Sequence, residues 1–551
     1  MRTLNDRDEL LTHAVANAGT AARTERIRAA IEDKYKWDLT PVYPDDQAWQ
    51  KAKRELTGRF AAVDPFKGRI RESAAALYDC LNLVNTLHKE LMRLYCYASM
   101  HSDEDTRESG YLGMEQEMSQ IGADLGARTA FIDPEILTMD RSRIDGFIVE
   151  EPRLAVYRHA LYDMLRKKAH TLSEGEETIL ANAGLIADGP HSVYSIFSDA
   201  DFPFPEVVLQ DKRTVKLDKA NFSLHRAEPD REDRKKIFNA FFGTLNTYRR
   251  TFGAQLNAEV RKNIFFSRSR RYASCLHRAL DGSNIPVEVY RGLIDNVNAH
   301  LQIFHRYLGL RKRMLGVDTL HYYDLYAPLV RDIDFTFSIE KAQEHTLAAL
   351  APLGEEYVRV ARDGFASRWL DVFPSDGKRS GAYSNGSVYD VHPYILLNYN
   401  GKYDDVSTLA HELGHTMHSY LSNRTQNYVN SQYSIFVAEV ASTFNEALLM
   451  EHMLRALTDD AKRLSLLGNY LDGIRGTIFR QTQFSEFELR IHELAERGEA
   501  LTGDSLNDLY AGICRKYYGH DAGVCIVDDE IRAEWAHVPH FYYTFYVYQY
   551  A

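Results

Sequence analysis

The chain has 551 residues, of which 45% are hydrophobic and 26% are charged. These fractions are typical of a globular protein and exclude a wholly disordered or fibrous one. The formal net charge of −12 argues against general binding to nucleic acid or to an anionic membrane surface. The sequence shows neither a signal-peptide pattern nor an apolar run of roughly eighteen residues, so we expect a soluble, cytoplasmic protein.

Apolar residues recur with helical spacing along most of the chain. The stretch from 70 to 130 predicts long antiparallel helices, and Ser173 with Glu176 has the order of a capping box at a helix start. A Phe-Pro-Phe-Pro sequence then interrupts the pattern. We place a domain boundary there, with a helical N-terminal lobe over 1–200 and a second domain over 201–551.

Two short regions have the patterns of β-strands. The segment 206–217 predicts a hairpin that turns near 211–213, and the tract 380–403 suits paired strands. Between them, Pro286 precedes an apolar stripe that predicts one long helix and runs through Val289, Leu293, Val297, Leu301, Phe304 and Leu308. The expected fold class is therefore mainly α with a small β-sheet.

Helical apolar spacing resumes directly after the second β tract, over 404–421. His411 and His415 are four residues apart in this segment, so both imidazoles project from one helix face and can reach one tetrahedral Zn²⁺. Glu412 follows the first histidine, where it can contact the attacking water instead of the metal. This H-E-x-x-H arrangement predicts a zinc hydrolase site in which Glu412 is the general base.

A third protein ligand is needed, with a fourth coordination position left open for water. An extended motif, in which a later histidine of the same segment is the third ligand, is disfavoured. It requires histidine at position 421, and this residue is Leu421. We prefer Glu439, since an unpaired carboxylate on its otherwise apolar helix face would be costly. Glu446, two turns further on, can accept a hydrogen bond from a ligand histidine, and His418 is assigned a structural or supporting role.

The tract before the zinc motif offers a place for a peptide backbone. It contains glycines but neither a G-x-G-x-x-G nor a Walker pattern, so nucleotide binding is unsupported. A strand beside the motif can instead pair with an extended peptide, and Tyr383 and His392 are then the predicted substrate-binding residues. A purely structural hairpin is the alternative.

Segments spread along the chain resemble one enzyme family. HELGHTMHSYLSN, IFVAEVASTFNE, KRSGAYSNGSVYDVHPYILLNY and the terminal PHFYYTFYVYQYA resemble the oligoendopeptidase F branch of the thimet-oligopeptidase-like zinc metallopeptidases. KYKWDLTPVYP and GIRGTIFRQTQFSEFE extend the resemblance to essentially the whole chain. Family members usually continue into further helix, so the resemblance also implies a catalytic domain shortened at Ala551.

The resemblance implies a mainly α, two-lobed helical ellipsoid that encloses a substrate channel, with a small β-sheet beside the zinc-binding helices. It implies one Zn²⁺ per chain, held by His411, His415 and Glu439, with Glu412 as general base. The expected activity is that of a zinc-dependent oligoendopeptidase, which hydrolyses internal bonds of short, unstructured peptides.

The resemblance also places oxyanion donors in the terminal aromatic run, which by its own pattern suits a strand as well as a helix. His540 and Tyr546 are the expected donors, followed by Tyr542, and Tyr543 and Tyr550 are the fallback. On a helix, Tyr542 and Tyr546 would share the face near His540.

Two other functions remain open at this point. A metallocarboxypeptidase would need a cation for the free C-terminus of its substrate, and Arg475 or Arg480 could serve. A catalytically silent peptide-binding protein is disfavoured, because binding alone does not need Glu412. The expected partners are short peptides, with no nucleic acid and no membrane, and a homo-oligomer is left undetermined.

Overall fold

The structure is a computed structural model that describes residues 27–330 and 336–551. Most of these residues lie in α-helices and the strands are short, which confirms the mainly α fold class. Among the described helices, none has both the length and the apolar character that a membrane span requires. The chain forms two compact units and passes between them at 169–170, between residues 330 and 336, and at 457–458. The domain boundary after residue 200 remains a prediction.

The first unit comprises residues 27–169 and 336–457. The long helices predicted between 70 and 130 are confirmed, and Ser73 starts the first of them by accepting a hydrogen bond from the backbone N–H of Ala76. Buried apolar side chains of this part form one core with Tyr383 and Leu396. The α-helices of the unit are Asp46–Gly58, Ala74–Glu104, Ser109–Thr129, Ile132–Leu137, Arg141–Glu150, Arg158–Arg166, Ile339–Ala349, Glu355–Ala366, Tyr403–Thr425 and Ile435–Ala456.

The tract 380–403 contains two paired strands, as predicted, and they form a three-stranded sheet with the strand Leu370–Asp371, which lies outside the tract. Its central strand, Tyr394–Leu396, is parallel to Leu370–Asp371 and antiparallel to Tyr383–Asn385. The strand Tyr383–Asn385, here called the edge strand, therefore pairs on one side only within the sheet and packs against the helix Tyr403–Thr425.

Two helices of the first unit carry the predicted metal ligands. Tyr403–Thr425 is here called the HExxH helix, and Ile435–Ala456 the Glu439 helix. They touch at Gly414, where an added Cβ would lie 2.6 Å from the carbonyl oxygen of Ala441 and 2.6 Å from Cα of Ser442. This approach is possible only because Gly414 has no side chain.

The second unit comprises residues 170–330 and 458–551. The predicted hairpin is confirmed by the antiparallel strands Glu206–Val208 and Thr214–Lys216, and the capping box of Ser173 and Glu176 is present. The α-helices of the unit are Glu174–Ala187, Gly189–Ile196, Lys219–His225, Arg231–Thr247, Arg249–Ser269, Cys275–Asp281, Val287–Ala299, Leu301–Leu315, Asp460–Ile474, Gln481–Glu496 and Gly503–Tyr518.

The prediction of one long helix after Pro286 is wrong in one respect. The backbone leaves helical geometry at His300 (φ −114°, ψ 17°), and two helices follow each other, Val287–Ala299 and Leu301–Leu315. The stripe is buried from Val297 onward, whereas Val289 is 41% exposed. Apolar spacing alone did not reveal the break, because the stripe keeps its helical spacing across His300.

We predict that Gly414→Ala lowers the stability of the first unit, because the added methyl group has no space between the HExxH helix and the Glu439 helix. The expected loss is about 1–3 kcal/mol, measured as a lower midpoint of thermal unfolding. Gly126→Ala is the matched control, since a Cβ there meets no atom within 4 Å and alanine is the better helix former. Equal midpoints for the two variants would contradict the close contact.

Candidate metal centre and its surroundings

The HExxH helix begins at Tyr403, where its first turn is well capped. A side-chain oxygen of Asp405 accepts hydrogen bonds from the backbone N–H groups of Asn400 at 3.0 Å and Lys402 at 2.9 Å. Acidic side chains in a first turn also complement the helix dipole. The predicted apolar face is buried and consists of Val406, Leu409, Leu413 and Met417.

His411, His415 and Glu439 bring their potential ligand atoms together. His411 Nε2 lies 3.2 Å from His415 Nε2, and Glu439 Oε2 lies 3.5 Å and 3.7 Å from these two nitrogens. Ligand atoms held at 2.0–2.1 Å from a tetrahedral Zn²⁺ are about 3.3 Å apart. The three buried side chains thus have the donor types and spacing of a zinc site.

Two further contacts orient these groups. His411 Nδ1 lies 2.8 Å from Glu446 Oε1, so the ring donates from Nδ1 and its Nε2 faces His415 and Glu439. The hydroxyl of Ser442 donates to Glu439 Oε2 at 2.9 Å. Sequence reasoning anticipated the Glu446 contact but missed Ser442, although its position one turn after Glu439 was a usable signal.

The site carries an excess of negative charge. Burial by itself would lower the pKa of His411, but the hydrogen bond to Glu446 and the charges of Glu412, Glu446 and Glu439 raise it to about 9. The three carboxylates thus favour positive charge on the imidazole of His411. A divalent cation bound between the ligand atoms would supply that charge instead of a proton.

Glu412 is the second residue of the motif and is only 1% exposed. Neither of its carboxylate oxygens has a hydrogen-bond partner of ordinary geometry among the described residues. Burial raises the pKa of Glu412 to about 7; Glu439 and Glu446 add to the rise, while His411 and the backbone of Ser384 oppose it. A carboxylate with this pKa can both accept and release a proton near neutrality.

A cavity opens beside Glu412 and His415, with room for a few water molecules. Most of its lining residues have polar side chains, and they come from the edge strand and the two residues after it, the HExxH helix, the loop 431–433 and the Glu439 helix. Sequence analysis missed this loop, because no local pattern connects it with the motif. Its lining residues are Tyr383, Ser384, Asn385, Gly386, Ser387, Glu412, His415, Ser419, Asn423, Ser431, Gln432, Tyr433 and Ala438.

The two predicted substrate-binding residues have different surroundings. Tyr383 lines the cavity, although its hydroxyl donates to Asp103 Oδ2 at 2.6 Å. His392 is outside that lining and stacks on Trp369, with ring centroids 4.6 Å apart. His418 stacks on Tyr433, a cavity residue, at 3.7 Å.

The predicted oxyanion donors belong to the second unit. The terminal tract forms two short 3₁₀ helices, Pro539–Tyr542 and Val547–Tyr550, separated by Thr544 and Phe545 with positive φ values of 50° and 57°. The tract is therefore neither of the two alternatives that its pattern allowed, a strand or one continuous helix, and Tyr542 and Tyr546 do not share a face of one helix. Positive φ values are uncommon in residues other than glycine, and nothing in the sequence of this tract predicts them.

Within this tract the aromatic side chains divide into two groups. His540 has ring contacts with Tyr543, Tyr546 and Tyr550 at centroid distances of 5.7, 6.1 and 6.0 Å. Tyr542 instead stacks on Tyr194 at 4.3 Å. Three of the tyrosines thus surround His540. They are Tyr546, the preferred oxyanion donor, and the two fallback donors Tyr543 and Tyr550.

Comparison with known proteins identifies the family. The chain matches the sequence profiles of Peptidase family M3 over residues 224–551 and of Oligopeptidase F over residues 135–204. It is 40% identical to Oligopeptidase PepF of Bacillus subtilis over 524 residues, which cover 95% of this chain and 78% of that protein.

Solved structures agree with this result. The crystal structure of oligoendopeptidase-F from Enterococcus faecium is 32% identical, with a TM-score of 0.69, and the match covers 92% of this chain and 85% of that one. A crystal structure from Chlamydophila abortus is 35% identical, with a TM-score of 0.86 and coverage of 96% and 88%. The chain therefore belongs to the oligoendopeptidase F group of peptidase family M3, a family of enzymes that hydrolyse peptides.

Proposed function

We propose that the protein is a zinc-dependent oligoendopeptidase that cleaves internal bonds of short, unstructured peptides, with one Zn²⁺ per chain. The observation that carries this proposal is the spacing of His411, His415 and Glu439 next to a buried Glu412, whose carboxylate oxygens have no hydrogen-bond partner of ordinary geometry among the described residues. Membership in a family of metallopeptidases supports it.

His411, His415 and Glu439 would hold the ion, and Glu446 would keep His411 in the tautomer whose Nε2 is free to bind. When bound, Zn²⁺ would act as a Lewis acid toward the scissile carbonyl and lower the pKa of water. The ion would also offset the negative charge of the three glutamates.

Glu412 would transfer the proton. One of its carboxylate oxygens would accept a proton from the attacking water and then deliver it to the nitrogen of the leaving amine. Both oxygens are available for this step, since neither is engaged in a hydrogen bond of ordinary geometry within the described residues. Its pKa of about 7 suits a group that accepts and donates in one catalytic cycle.

The edge strand Tyr383–Asn385 would bind the substrate backbone. It has one unpaired side within its sheet and lines the cavity that contains Glu412. An extended peptide can add to such a strand through main-chain hydrogen bonds, which favours unstructured substrates. Tyr383 stays in the proposal as a wall of this cavity, and His392 stays a prediction.

We retain His540 and Tyr546, followed by Tyr542, as the proposed donors to the oxyanion. A hydroxyl or imidazole N–H aimed at the developing negative charge is what peptide hydrolysis requires. The ring contact between His540 and Tyr546 supports their selection as a pair, since donors to one oxygen must be close together.

Cleavage from the free C-terminus is less well supported. Arg475 is ion-paired with Asp472 and Arg480 with Glu534, and both arginine side chains are largely buried. Neither cation is therefore free to receive a substrate carboxylate.

Three further points stay as the sequence analysis left them. We predict a cytoplasmic location and the absence of nucleic-acid and membrane partners, and the oligomeric state is undetermined.

We predict that Glu412→Gln abolishes most activity, because an amide cannot accept the proton of the attacking water. The expected loss is roughly 10²–10⁴-fold in kcat for quenched fluorescent peptides that are blocked at both ends. Bound zinc should be unchanged. Cleavage of unblocked peptides only would favour the carboxypeptidase, and full activity of the variant would exclude Glu412 as the base.

Glu446→Gln should weaken metal binding roughly 10- to 100-fold, because the amide no longer fixes His411 as a carboxylate does. Competition of the purified enzyme with a chelator measures this change. Glu451→Gln is the matched control on the same helix, since Glu451 is exposed and pairs only locally with Arg455. Equal metal affinities of the two variants would remove Glu446 from the proposed centre.

We expect Tyr546→Phe to lower kcat roughly 10²–10³-fold while the zinc content stays unchanged, because a donor to the oxyanion is lost. Tyr548→Phe is the control from the same tract, since the Tyr548 ring packs against Tyr290 at 5.0 Å. A similar small effect of both substitutions on kcat would exclude Tyr546 as a donor.

A further inference from the structure

A second cavity, formed by residues of the second unit alone, is surrounded by arginines. It is lined by Phe222, Arg226, Arg234, Phe238, Phe242, Tyr322, Tyr323, Tyr326 and Glu534. The space inside accommodates about one particle of the size of water. A phosphate group or the end of a peptide would be too large for it.

A local distortion of the helical backbone brings two more arginines to this region. Residues Arg475–Arg480 form a π-helical segment between two α-helices. In an α-helix, side chains five residues apart point about 140° away from each other, whereas the i→i+5 hydrogen bond of a π-helix puts them on one side. The distortion thus directs Arg475 and Arg480 to the same side.

Tyr326 lies against these guanidinium groups. Cζ of Arg226 is 3.7 Å from the centre of the Tyr326 ring, and Cζ of Arg475 is 4.6 Å from it. Burial alone would raise the pKa of Tyr326, yet Arg480, Arg226 and Arg475 together lower it to about 7. The surroundings of this ring therefore favour negative charge.

The carboxylates nearby do not balance these arginines. Arg480 pairs with Glu534 at 2.6 Å, and Arg475 shares Asp472 with Arg311 at 3.2 and 2.8 Å. Two carboxylates thus face three arginines, and Arg226 is a fourth cation without an ion pair among the described contacts. Counted over these four described arginines and two carboxylates, positive charge exceeds negative charge by two.

The hydrogen bonds of the arginines are also incomplete. Arg475 is only 5% exposed, yet its Nη1 has no hydrogen-bond partner among the described residues. Arg234, which lines the cavity, shares the single carboxylate of Asp324 with Arg231, and Nε of Arg234 is buried without a hydrogen-bond partner among the described residues. Buried donors of this kind are normally satisfied, so their number points to a missing acceptor.

We propose that this cavity binds one small inorganic anion of the size of chloride, held by the guanidinium of Arg226. Arg475 and Arg480 would contribute charge from the π-helical segment, and the cavity volume would exclude polyatomic anions. Such an anion would link the helix Lys219–His225, which Arg226 follows, with the segment Arg475–Arg480. The site would stabilise the second unit without taking part in peptide hydrolysis.

Thermal unfolding of the full chain, with sodium chloride exchanged for sodium gluconate at constant ionic strength, tests this proposal. Chloride should raise the midpoint saturably, by about 2–4 °C, because only the native state offers the cavity. The rise should vanish in Arg226→Gln and persist in Arg213→Gln, whose arginine is exposed and pairs with Asp211. Equal midpoints in the two salts, or an unchanged response of Arg226→Gln, would overturn it.

A direct observation covers the case in which Arg226→Gln does not fold. Crystals of the unaltered protein grown in bromide should give an anomalous diffraction peak beside Arg226. The competing explanation is that ionised Tyr326 itself balances the arginines, which would appear as tyrosinate absorbance near neutral pH that Tyr326→Phe removes. That absorbance without a bromide peak would refute the anion site, and a bromide peak retained in Tyr326→Phe would support it.

Discussion

The proposed chemistry depends on the contact between the HExxH helix and the Glu439 helix. His411 and His415 are fixed relative to each other by one helical turn, but Glu439 reaches them only if the second helix comes close enough. Gly414 permits that approach, and Asn445 reinforces it by donating to the carbonyl of Ala410 at 3.1 Å. A spacing of ligand atoms accurate to a few tenths of an ångström thus depends on a contact between backbones.

The same contact concentrates negative charge. Glu412 and Glu439 are buried beside two histidines, where unpaired carboxylates are costly, and the partly exposed Glu446 adds its charge. The negative charge therefore favours the binding of a cation by the folded first unit at this place. When no cation is bound, the same charge favours the binding of protons. In such a site the requirements of stability and of catalysis conflict, because the groups that hold a metal destabilise the protein when the metal is absent.

The sequence was most informative where one local pattern determines the geometry. The i, i+4 spacing of His411 and His415 defines their common face, and the apolar neighbours of Glu439 made its carboxylate conspicuous. Tertiary contacts were harder to foresee, since Tyr433 carries no distinctive local pattern and Ser442 is marked only by its position one turn after Glu439. The terminal tract was misjudged because Thr544 and Phe545 adopt positive φ values that their side chains do not predict. The break at His300 was missed for a related reason, since apolar spacing continues through it.

The order in which the units occur along the chain has a consequence for biosynthesis. Residues 27–169 and 336–457 share one unit, so the early helices cannot complete their core until the ribosome has made the segment with the HExxH motif. The first stretch of the second unit is synthesised in the meantime and must wait for residues 458–551. Helices with exposed apolar faces thus coexist on the nascent chain, which is the situation in which chaperones are most useful. Every residue of the proposed metal centre has been translated before the second unit is complete.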